Sequence, residues 1–182
     1  MARESSEAVP FQTRNDLSID TREEVVRTLN QALADTTDLQ TQAKHAHWNV
    51  KGPQFQQLHQ LFDEQAALLA DHADVLAERL TALGGRAHGT ARQAAANSQL
   101  QEFPEDATDG ADCVAVLADR FAAHAANTRE RIDATAALGD ADTADMYTEL
   151  SREIDKQLWF LESHLHGAET ATESELLAAD ED

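Results

Sequence analysis

The stretch that decides the fold is residues 44–80, KHAHWNVKGPQFQQLHQLFDEQAALLADHADVLAERL, which places four His, three Asp and two Glu among Leu, Val and Ala. Gly52-Pro53 divides this stretch in two, because neither residue suits the interior of a helix. The pattern therefore predicts two antiparallel helices joined by a short turn, with metal-type ligands beside an apolar stripe.

Apolar residues recur every three or four positions on both sides of this turn, and again in two later segments, which is the spacing of amphipathic helices. Asp20 followed by Glu23 has the sequence of a capping box, so we place the first helix start there. Pro53 suits the first position of the second helix. The long helices are predicted over about residues 20–50, 53–83, 110–138 and 143–166.

The segment between the second and third of these helices, residues 84–109, is long for a connection between neighbouring antiparallel helices. We therefore predict a crossover that contains a short helix within about 90–100. The result is an all-α four-helix bundle over residues 20–167. Residues 1–19 are expected to form a flexible N-terminal tail, and residues 168–182 an acidic C-terminal tail.

The 182-residue chain is long enough to bury one core, and Cys113 is its only cysteine. A single cysteine excludes an intrachain disulfide and a cysteine-based zinc site, so a metal site must use His, Asp and Glu. The first ten residues lack the apolar segment of a signal peptide, and no apolar run approaches the ~20 residues of a membrane span. We therefore expect a cytoplasmic protein that has no membrane contact.

The formal net charge is −20 at pH 7, which repels nucleic-acid phosphates and makes DNA binding unfavourable. The chain has three lysines, Lys44, Lys51 and Lys156. High acidity with few lysines is typical of halophilic proteins, in which concentrated salt screens the self-repulsion. An ordinary acidic protein is the alternative interpretation.

Two histidines and a carboxylate are predicted to converge near the turn. His47 lies five residues before Gly52 and His59 six residues after Pro53, so the two histidines lie at similar heights in the hairpin. Asp63 follows His59 by about one helical turn and shares its face. These three side chains form one candidate cluster of metal ligands.

Asp74 and Glu78 form a second carboxylate pair on the same face of the second helix. Eleven residues separate Asp63 from Asp74, which is roughly 16 Å along the helix axis, and metal–ligand bonds of about 2 Å cannot span that gap. A two-fold dimer with these helices packed antiparallel joins each His/Asp end to the partner's Asp/Glu end. Small residues near this face allow a close approach: Ala66, Ala67, Ala70, Ala73 and Ala77.

Imidazole and carboxylate ligands without thiolates suit Fe(II) or Mn(II), and they also accept Zn(II). The spacing differs from the HExxH motif of metalloproteases. Taken singly, each of these residues is more often part of a solvated helix face than a ligand, and a helical oligomer without metal is an alternative. The whole constellation, with its alanine seam, favours a shared metal site.

The chain resembles the Dps family of ferritin-like mini-ferritins. The resemblance lies in HAHWNVKGPQFQQLHQLFDEQ at 45–65, DHADVLAERLTALGG at 71–85, GDADTADMYTEL at 139–150 and IDKQLWFLESHL at 154–165. It implies a ferritin-like bundle assembled as a homododecamer with 23 symmetry. It also implies that Fe(II) is oxidised with hydrogen peroxide or dioxygen at sites between subunits and stored as ferric mineral inside the shell.

The resemblance implies roles for particular residues. The family's iron ligands correspond to the five residues that spacing selects: His47, His59, Asp63, Asp74 and Glu78. Trp48 corresponds to a tryptophan beside the first ligand, where it contacts the site and quenches radicals, or else is an ordinary core or interface residue. Trp159 corresponds to a second tryptophan that packs.

Further carboxylates have weaker assignments. Asp145 corresponds to an acidic position near a three-fold channel, and Asp140 and Glu149 are weaker candidates for the same channel; a solvated helix start is the alternative. Glu64 and Asp71 would nucleate mineral if they line the cavity.

The terminal segments depart from the family pattern. Many members bind DNA through a lysine-rich tail, whereas residues 1–19 hold Arg3 and Arg14 and no lysine. DNA binding is therefore not expected, and a DNA-binding nucleoid protein with structural metal sites is the alternative function. His164 and His166 end the last helix, where positive charge suits the helix dipole.

Overall fold

The structure is a computed structural model and describes residues 7–166, which contain four long helices, one short helix and no strand of a sheet. The first two long helices pack as one hairpin and the last two as another, so the predicted all-α bundle with a short helix in its crossover is confirmed. No helix in this range is long and apolar enough to cross a membrane. The helices are α1 (Ile19–Asn49), α2 (Phe55–Ala82), α3 (Ala91–Asn97), α4 (Gly110–Ala137) and α5 (Ala141–Leu165).

The first helix begins two residues before its predicted start. Ser18 is the N-cap of α1, and its Oγ accepts a hydrogen bond from the backbone N–H of Thr21 at 3.1 Å. The capping box predicted at Asp20 and Glu23 is therefore wrong, because Asp20 already lies within the first turn. Its carboxylate still suits the positive end of the helix dipole.

The turn between α1 and α2 is longer than predicted. Gly52 adopts φ +111°, a conformation that favours glycine, and Pro53 lies in the turn rather than at the first position of α2. The short helix α3 does carry a capping box. Gln93 N–H donates to Thr90 Oγ1, and Thr90 N–H donates to Gln93 Oε1.

The N-terminal segment packs on the bundle from Val9 onward. Val9 is 2% exposed, and the N–H of Phe11 donates to the carbonyl of Gly84 at 3.1 Å. A Cβ at Gly84 would lie 2.5 Å from the carbonyl oxygen of Phe11, so this contact requires glycine. Part of the segment 1–19 that was expected to be a flexible tail thus contacts the bundle, whereas 1–6 and the acidic tail 168–182 lie outside the described residues.

The core is built from the inward stripes of the four long helices. Burying a leucine or phenylalanine side chain contributes about 1.5–3 kcal/mol, so these side chains account for most of the driving force of folding. The largest fully buried side chains are Tyr147, Phe62, Phe121, Leu29, Leu39, Leu58, Leu69, Leu76, Leu80, Leu83, Leu117 and Ile154.

A band of polar residues crosses the middle of this core. Asp35 on α1 is fully buried, and its Oδ2 accepts from Arg131 Nη2 on α4 at 2.5 Å. Its Oδ1 accepts from the backbone N–H of Gln99 at 2.9 Å, which fastens the crossover to the bundle. Between α2 and α5, the Nε2 of the buried His72 lies 2.6 Å from Glu153 Oε2. Polar groups therefore link α1 to α4 and α2 to α5.

His124 completes the polar band from α4. Its ring is buried, and its Nε2 lies 3.4 Å from Thr36 Oγ1. Burial lowers the pKa of His124 to about 3, and the positive charges of Arg131 and His72 act in the same direction. This imidazole is therefore neutral in the folded protein at any pH near neutrality.

Lowering the pH below 6.5 should destabilise the fold through His124. In the unfolded chain this imidazole binds a proton near pH 6.5, whereas in the fold it does so only near pH 3. Its contribution is thus complete above pH 6.5 and falls below it, by up to about 1.4 kcal/mol per pH unit. The thermal unfolding midpoint of His124→Gln should fall less steeply with pH than that of the wild type.

The matched control is His166→Gln, which replaces an exposed imidazole at the end of α5. Its midpoint should follow the wild-type pH profile. Parallel profiles for the wild type and His124→Gln would show that the buried imidazole does not govern acid sensitivity.

Candidate metal centre

Two histidines meet at the turn between α1 and α2, as the sequence predicts. The rings of His47 and His59 stack with centroids 3.8 Å apart. The Nδ1 of His47 lies 2.7 Å from the carbonyl oxygen of His59, and the Nδ1 of His59 lies 2.8 Å from that of His47. A carbonyl oxygen only accepts, so each Nδ1 carries the hydrogen. In a neutral imidazole with this tautomer, Nε2 carries the lone pair that can bind a metal.

Asp63 lies beside this histidine pair, but its carboxylate is already paired with an amine. Lys44 Nζ donates to Asp63 Oδ1 at 2.5 Å. This hydrogen bond lowers the pKa of Asp63, and the positive charge of the Lys44 ammonium acts in the same direction. The carboxylate is therefore ionised. A metal that binds Asp63 through Oδ1 must take the place of the lysine ammonium.

Lys44 also contacts the aromatic residue of the site. Its Nζ lies 5.9 Å from the centroid of the Trp48 ring, within the range of a cation–π interaction. The ammonium therefore lies between the Asp63 carboxylate and the indole. Lys44 is not among the residues predicted for the site, although its position three residues before His47 places it on the same side of α1.

The other two predicted ligands lie at the far end of α2. Asp74 and Glu78 are both exposed on this helix. Within residues 7–166 of a single chain, no three His, Cys, Asp or Glu side chains converge on a metal-sized position. The five predicted ligands thus form two separate half-sites, one on His47, His59 and Asp63 and one on Asp74 and Glu78.

A groove lies beside the acidic half-site and includes Asp74, and we call it the Asp74 groove. It has a volume of about 350 Å³, and small residues from α2 and from the connection after it form much of its wall. Of the predicted alanine seam, Ala66 is buried inside the protomer and so lies off the seam, whereas the others are at least partly exposed. The groove is lined by Leu33, Ala70, Ala73, Asp74, Ala77 and Ala87, among others.

The two tryptophans are both on the surface of the protomer. Trp48 is 65% exposed and Trp159 is 60% exposed. The ring centroids of Trp159 and Phe160 lie 5.1 Å apart, and the packing role expected of Trp159 stays a prediction. Both indoles are available to neighbouring molecules.

The remaining acidic candidates divide by exposure. Asp145 and Glu149 are exposed on α5, and Glu64 and Asp71 are exposed on α2. These four carboxylates face solvent in the protomer and remain available for the roles expected of them.

Asp140 is different, because its carboxylate lies inside the protomer at 2% exposure. It caps α5 by accepting from the backbone N–H of Thr143 at 3.0 Å, and it pairs with Arg79 at 2.7 Å. Its carboxylate thus holds the start of α5 against α2. This corrects the expectation that Asp140 lines a channel.

An all-α bundle with paired imidazoles and carboxylates defines a ferritin-like protein, and comparison with known proteins agrees. The family model of the ferritin-like domain matches residues 26–171. The DNA protection during starvation protein of Agrobacterium fabrum is 40% identical over 153 residues, 84% of this chain and 94% of that protein. The protein of the same name from Halobacterium salinarum is 33% identical over 164 residues, 88% of each.

Solved structures agree with this result. The crystal structure of an archaeal Dps homologue from Halobacterium salinarum aligns with a TM-score of 0.82 and 32% identity, covering 90% of this chain and 91% of that one. DpsC from Streptomyces coelicolor also aligns with a TM-score of 0.82, at 30% identity, covering 91% of this chain and 95% of that one. The chain belongs to the ferritin-like Dps family.

Lys44→Gln should tighten metal binding at the histidine half-site. The substitution removes the ammonium that competes with a metal for Asp63, and because exposed ion pairs are weak, a change of only about 2–5-fold is expected. Calorimetric titration with Zn(II) or Co(II) measures it. Lys51→Gln is the matched control, because Lys51 donates to backbone carbonyls rather than to Asp63. Equal tightening in both variants would indicate a general effect of charge.

Proposed function

We propose that this protein stores and detoxifies iron by oxidising Fe(II) at sites shared between subunits. The observation that carries the proposal is the pair of histidines, each with Nδ1 bound to a carbonyl and Nε2 free, beside an ionised carboxylate. This set of donors suits Fe(II). Membership of the ferritin-like Dps family supports the same reaction class.

The site is completed by a second chain. Asp74 and Glu78 lie on the helix that carries Asp63, but roughly 16 Å further along its axis. When α2 packs antiparallel against α2 of a second copy about a two-fold axis, each histidine half-site meets an acidic half-site. Two identical sites then form in each dimer, and each has two imidazoles and three carboxylates.

The chain's own groups bind the iron and tune its potential. The Nε2 atoms of His47 and His59 hold Fe(II), while Asp63, Asp74 and Glu78 stabilise Fe(III) more than Fe(II) and so favour oxidation. Hydrogen peroxide takes one electron from each of two irons, and its O–O bond breaks to give two hydroxide ions. Paired transfer avoids release of the hydroxyl radical. No protein nucleophile is required.

Assembly gives the product a place to accumulate. We infer a dodecamer of 23 symmetry, built from these dimers, that encloses the ferric mineral. Fe(II) enters along acidic channels under the attraction of the net charge of −20, with Asp145 and Glu149 as channel candidates. Glu64 and Asp71 are candidates for nucleating the mineral. The carboxylates of all four are exposed in the protomer.

The second candidate function is a nucleoid protein whose metal sites only fasten the dimer. The name of the Agrobacterium fabrum relative, DNA protection during starvation protein, favours it. The net charge of −20 and the three lysines oppose it, because contacts to phosphates need clustered cations. We infer a cytoplasmic protein that protects the cell through iron chemistry.

Potassium chloride should stabilise the protein, because its acidic surface suits a salt-rich cytoplasm. Raising the salt from about 0.1 M to about 1 M shortens the screening length from about 10 Å to about 3 Å and so weakens the repulsion among carboxylates. The thermal unfolding midpoint should rise with KCl concentration. A midpoint that is flat or falls over this range would contradict a halophilic origin.

Iron oxidation should depend on the acidic half-site. In wild-type protein loaded with Fe(II) without oxygen, each hydrogen peroxide should oxidise two irons, and the ferric product should stay in a particle of about 240 kDa, the mass of twelve 19.9 kDa chains. Asp74→Asn/Glu78→Gln should lose rapid oxidation, because Fe(III) loses two of its stabilising charges. Equal rates in both proteins would make these carboxylates structural.

Complementation separates a shared site from a site within one chain. His47→Ala/His59→Ala and Asp74→Asn/Glu78→Gln each lack one half-site, so each should be inactive alone. A mixed dimer of the two restores one of its two sites. Random co-assembly in equal amounts should therefore recover about one quarter of the wild-type sites. An inactive mixture whose chains have demonstrably co-assembled would show that the halves do not meet.

A further inference from the structure

A pocket of about 620 Å³ lies along the N-terminal half of α1, away from the candidate metal centre. We call it the α1 pocket, and its lining includes Glu7, Glu23, Val26, Arg27, Gln31 and Asn97. Ala34, which also lines it, lies thirteen positions before His47, roughly 20 Å along the helix. The volume is in the range of small-molecule sites.

Hydrogen bonds and burial hold the walls of the α1 pocket in place. The N–H of His88 donates to Asn30 Oδ1 at 2.9 Å, and Asn30 Nδ2 donates to the carbonyl of Arg86 at 3.1 Å. These two bonds fasten the start of the crossover to α1. On the other side, the N-terminal segment is anchored by Val9, which is 2% exposed. The pocket is therefore formed by the fold before any ligand arrives.

Two amide side chains give the α1 pocket hydrogen-bond acceptors. Gln31 Nε2 donates to Asp35 Oδ1 at 3.0 Å and to the backbone carbonyl of Asn97 at 2.8 Å, which uses both of its hydrogens. Asn97 Nδ2 donates to the carbonyl of Gln93 at 2.7 Å. The amide oxygens of Gln31 and Asn97 remain available to accept from a ligand.

Carboxylates add further acceptors and negative charge. Glu7 and Glu23 both line the α1 pocket, together with one guanidinium, that of Arg27. This guanidinium is already paired, through Nη1 with Glu24 and through Nη2 with Glu23 at 3.4 Å. The whole chain also carries a net charge of −20. A complementary ligand is therefore a cation that donates hydrogen bonds.

The rest of the lining favours an organic cation over a bare metal ion. Val26 and Ala34 are apolar residues of the α1 pocket, and they give an aliphatic chain a surface to pack on. In residues 7–166 no three His, Cys, Asp or Glu side chains converge on one metal-sized position. An alkyl chain with ammonium groups satisfies both the apolar and the acidic parts of the lining.

We propose that the α1 pocket binds a small aliphatic polyamine. Its ammonium groups donate to the carboxylates of Glu7 and Glu23 and to the amide oxygen of Gln31, while its methylene groups pack on Val26 and Ala34. The site is separate from the histidine pair, so its failure would leave the proposed iron chemistry untouched.

Calorimetric titration of the assembled protein with spermidine tests the proposal. The buffer contains about 0.15 M KCl, in which the screening length is about 8 Å and diffuse attraction to the acidic surface is weakened. We expect saturable binding of one spermidine per chain. A neutral diol of the same chain length should bind far more weakly. A wild-type protein that binds no spermidine, or binds it no better than the diol, would overturn the proposal.

Two neighbouring carboxylates provide a matched pair of variants. Glu23→Gln and Glu24→Gln each remove one negative charge and one partner of Arg27, but Glu24 lies outside the lining of the α1 pocket. Glu23→Gln should weaken spermidine binding about tenfold, because a hydrogen bond to a charged group is lost. Glu24→Gln should change it by less than about twofold. Equal affinities in the two variants would refute a site at this pocket.

Competition with Mg(II) separates a shaped site from general attraction of cations. At equal concentrations of charge, Mg(II) should leave most of the spermidine bound, because it makes no contact with the apolar lining. Complete displacement under these conditions would show that spermidine acts only as a counterion of the acidic surface, and the proposal would fail.

Discussion

The rigidity of α2 is the constraint from which the proposed chemistry follows. A helix that rises about 1.5 Å per residue cannot bring Asp63 and Asp74 to one metal ion, however their side chains rotate. The hairpin contact between His47 and His59 adds imidazoles at one end of this helix and leaves the other end with carboxylates alone. Two incomplete half-sites at opposite ends of one straight helix can complete each other only in a symmetric dimer.

The interior of the bundle contains a buried ion pair, together with buried polar atoms that have no hydrogen-bond partner, among them His72 Nδ1 and His124 Nδ1. Ferritin-like di-metal bundles place Glu and His inward to bind metal ions. Here the guanidinium of Arg131 donates a hydrogen bond to the carboxylate of Asp35, and burial keeps His124 neutral. Breaking such a buried pair by removing one partner typically costs 3–5 kcal/mol, so the pair fixes how α1 and α4 pack. Under the proposed function, metal binding uses side chains outside this interior, among them Asp74 and Glu78 on the exposed face of α2.

The sequence predicts those features that depend on periodicity. The four long helices follow from apolar spacing, and the opposition of His47 and His59 follows from counting residues on each side of the turn. Features that depend on side-chain competition are not predictable in this way. Ser18 rather than Asp20 caps α1, and the Asp140 carboxylate pairs with Arg79 inside the protomer. Ala66 is buried in the core rather than exposed with the other alanines of the seam.

Lys44 is the clearest case of what spacing cannot reveal. Its position among the ligands is visible in the sequence, but its bond to Asp63 depends on the angle at which α1 and α2 pack. Val9 is similar, because a short apolar residue in a polar segment gives no periodic signal, yet it is buried against the bundle. Tertiary contacts decide both.

Under the proposed function, an isolated chain is a poor catalyst of iron oxidation for a physical reason. Its histidine half-site offers two imidazoles and a carboxylate that a lysine already neutralises, so little negative charge remains to stabilise Fe(III). Contact with a second chain adds Asp74 and Glu78. Their negative charges favour a metal ion over the Lys44 ammonium at Asp63. Oxidation is then confined to assembled protein. Ferric ion therefore forms where a shell is present to hold it, and the shared site links the reaction to the fate of its product.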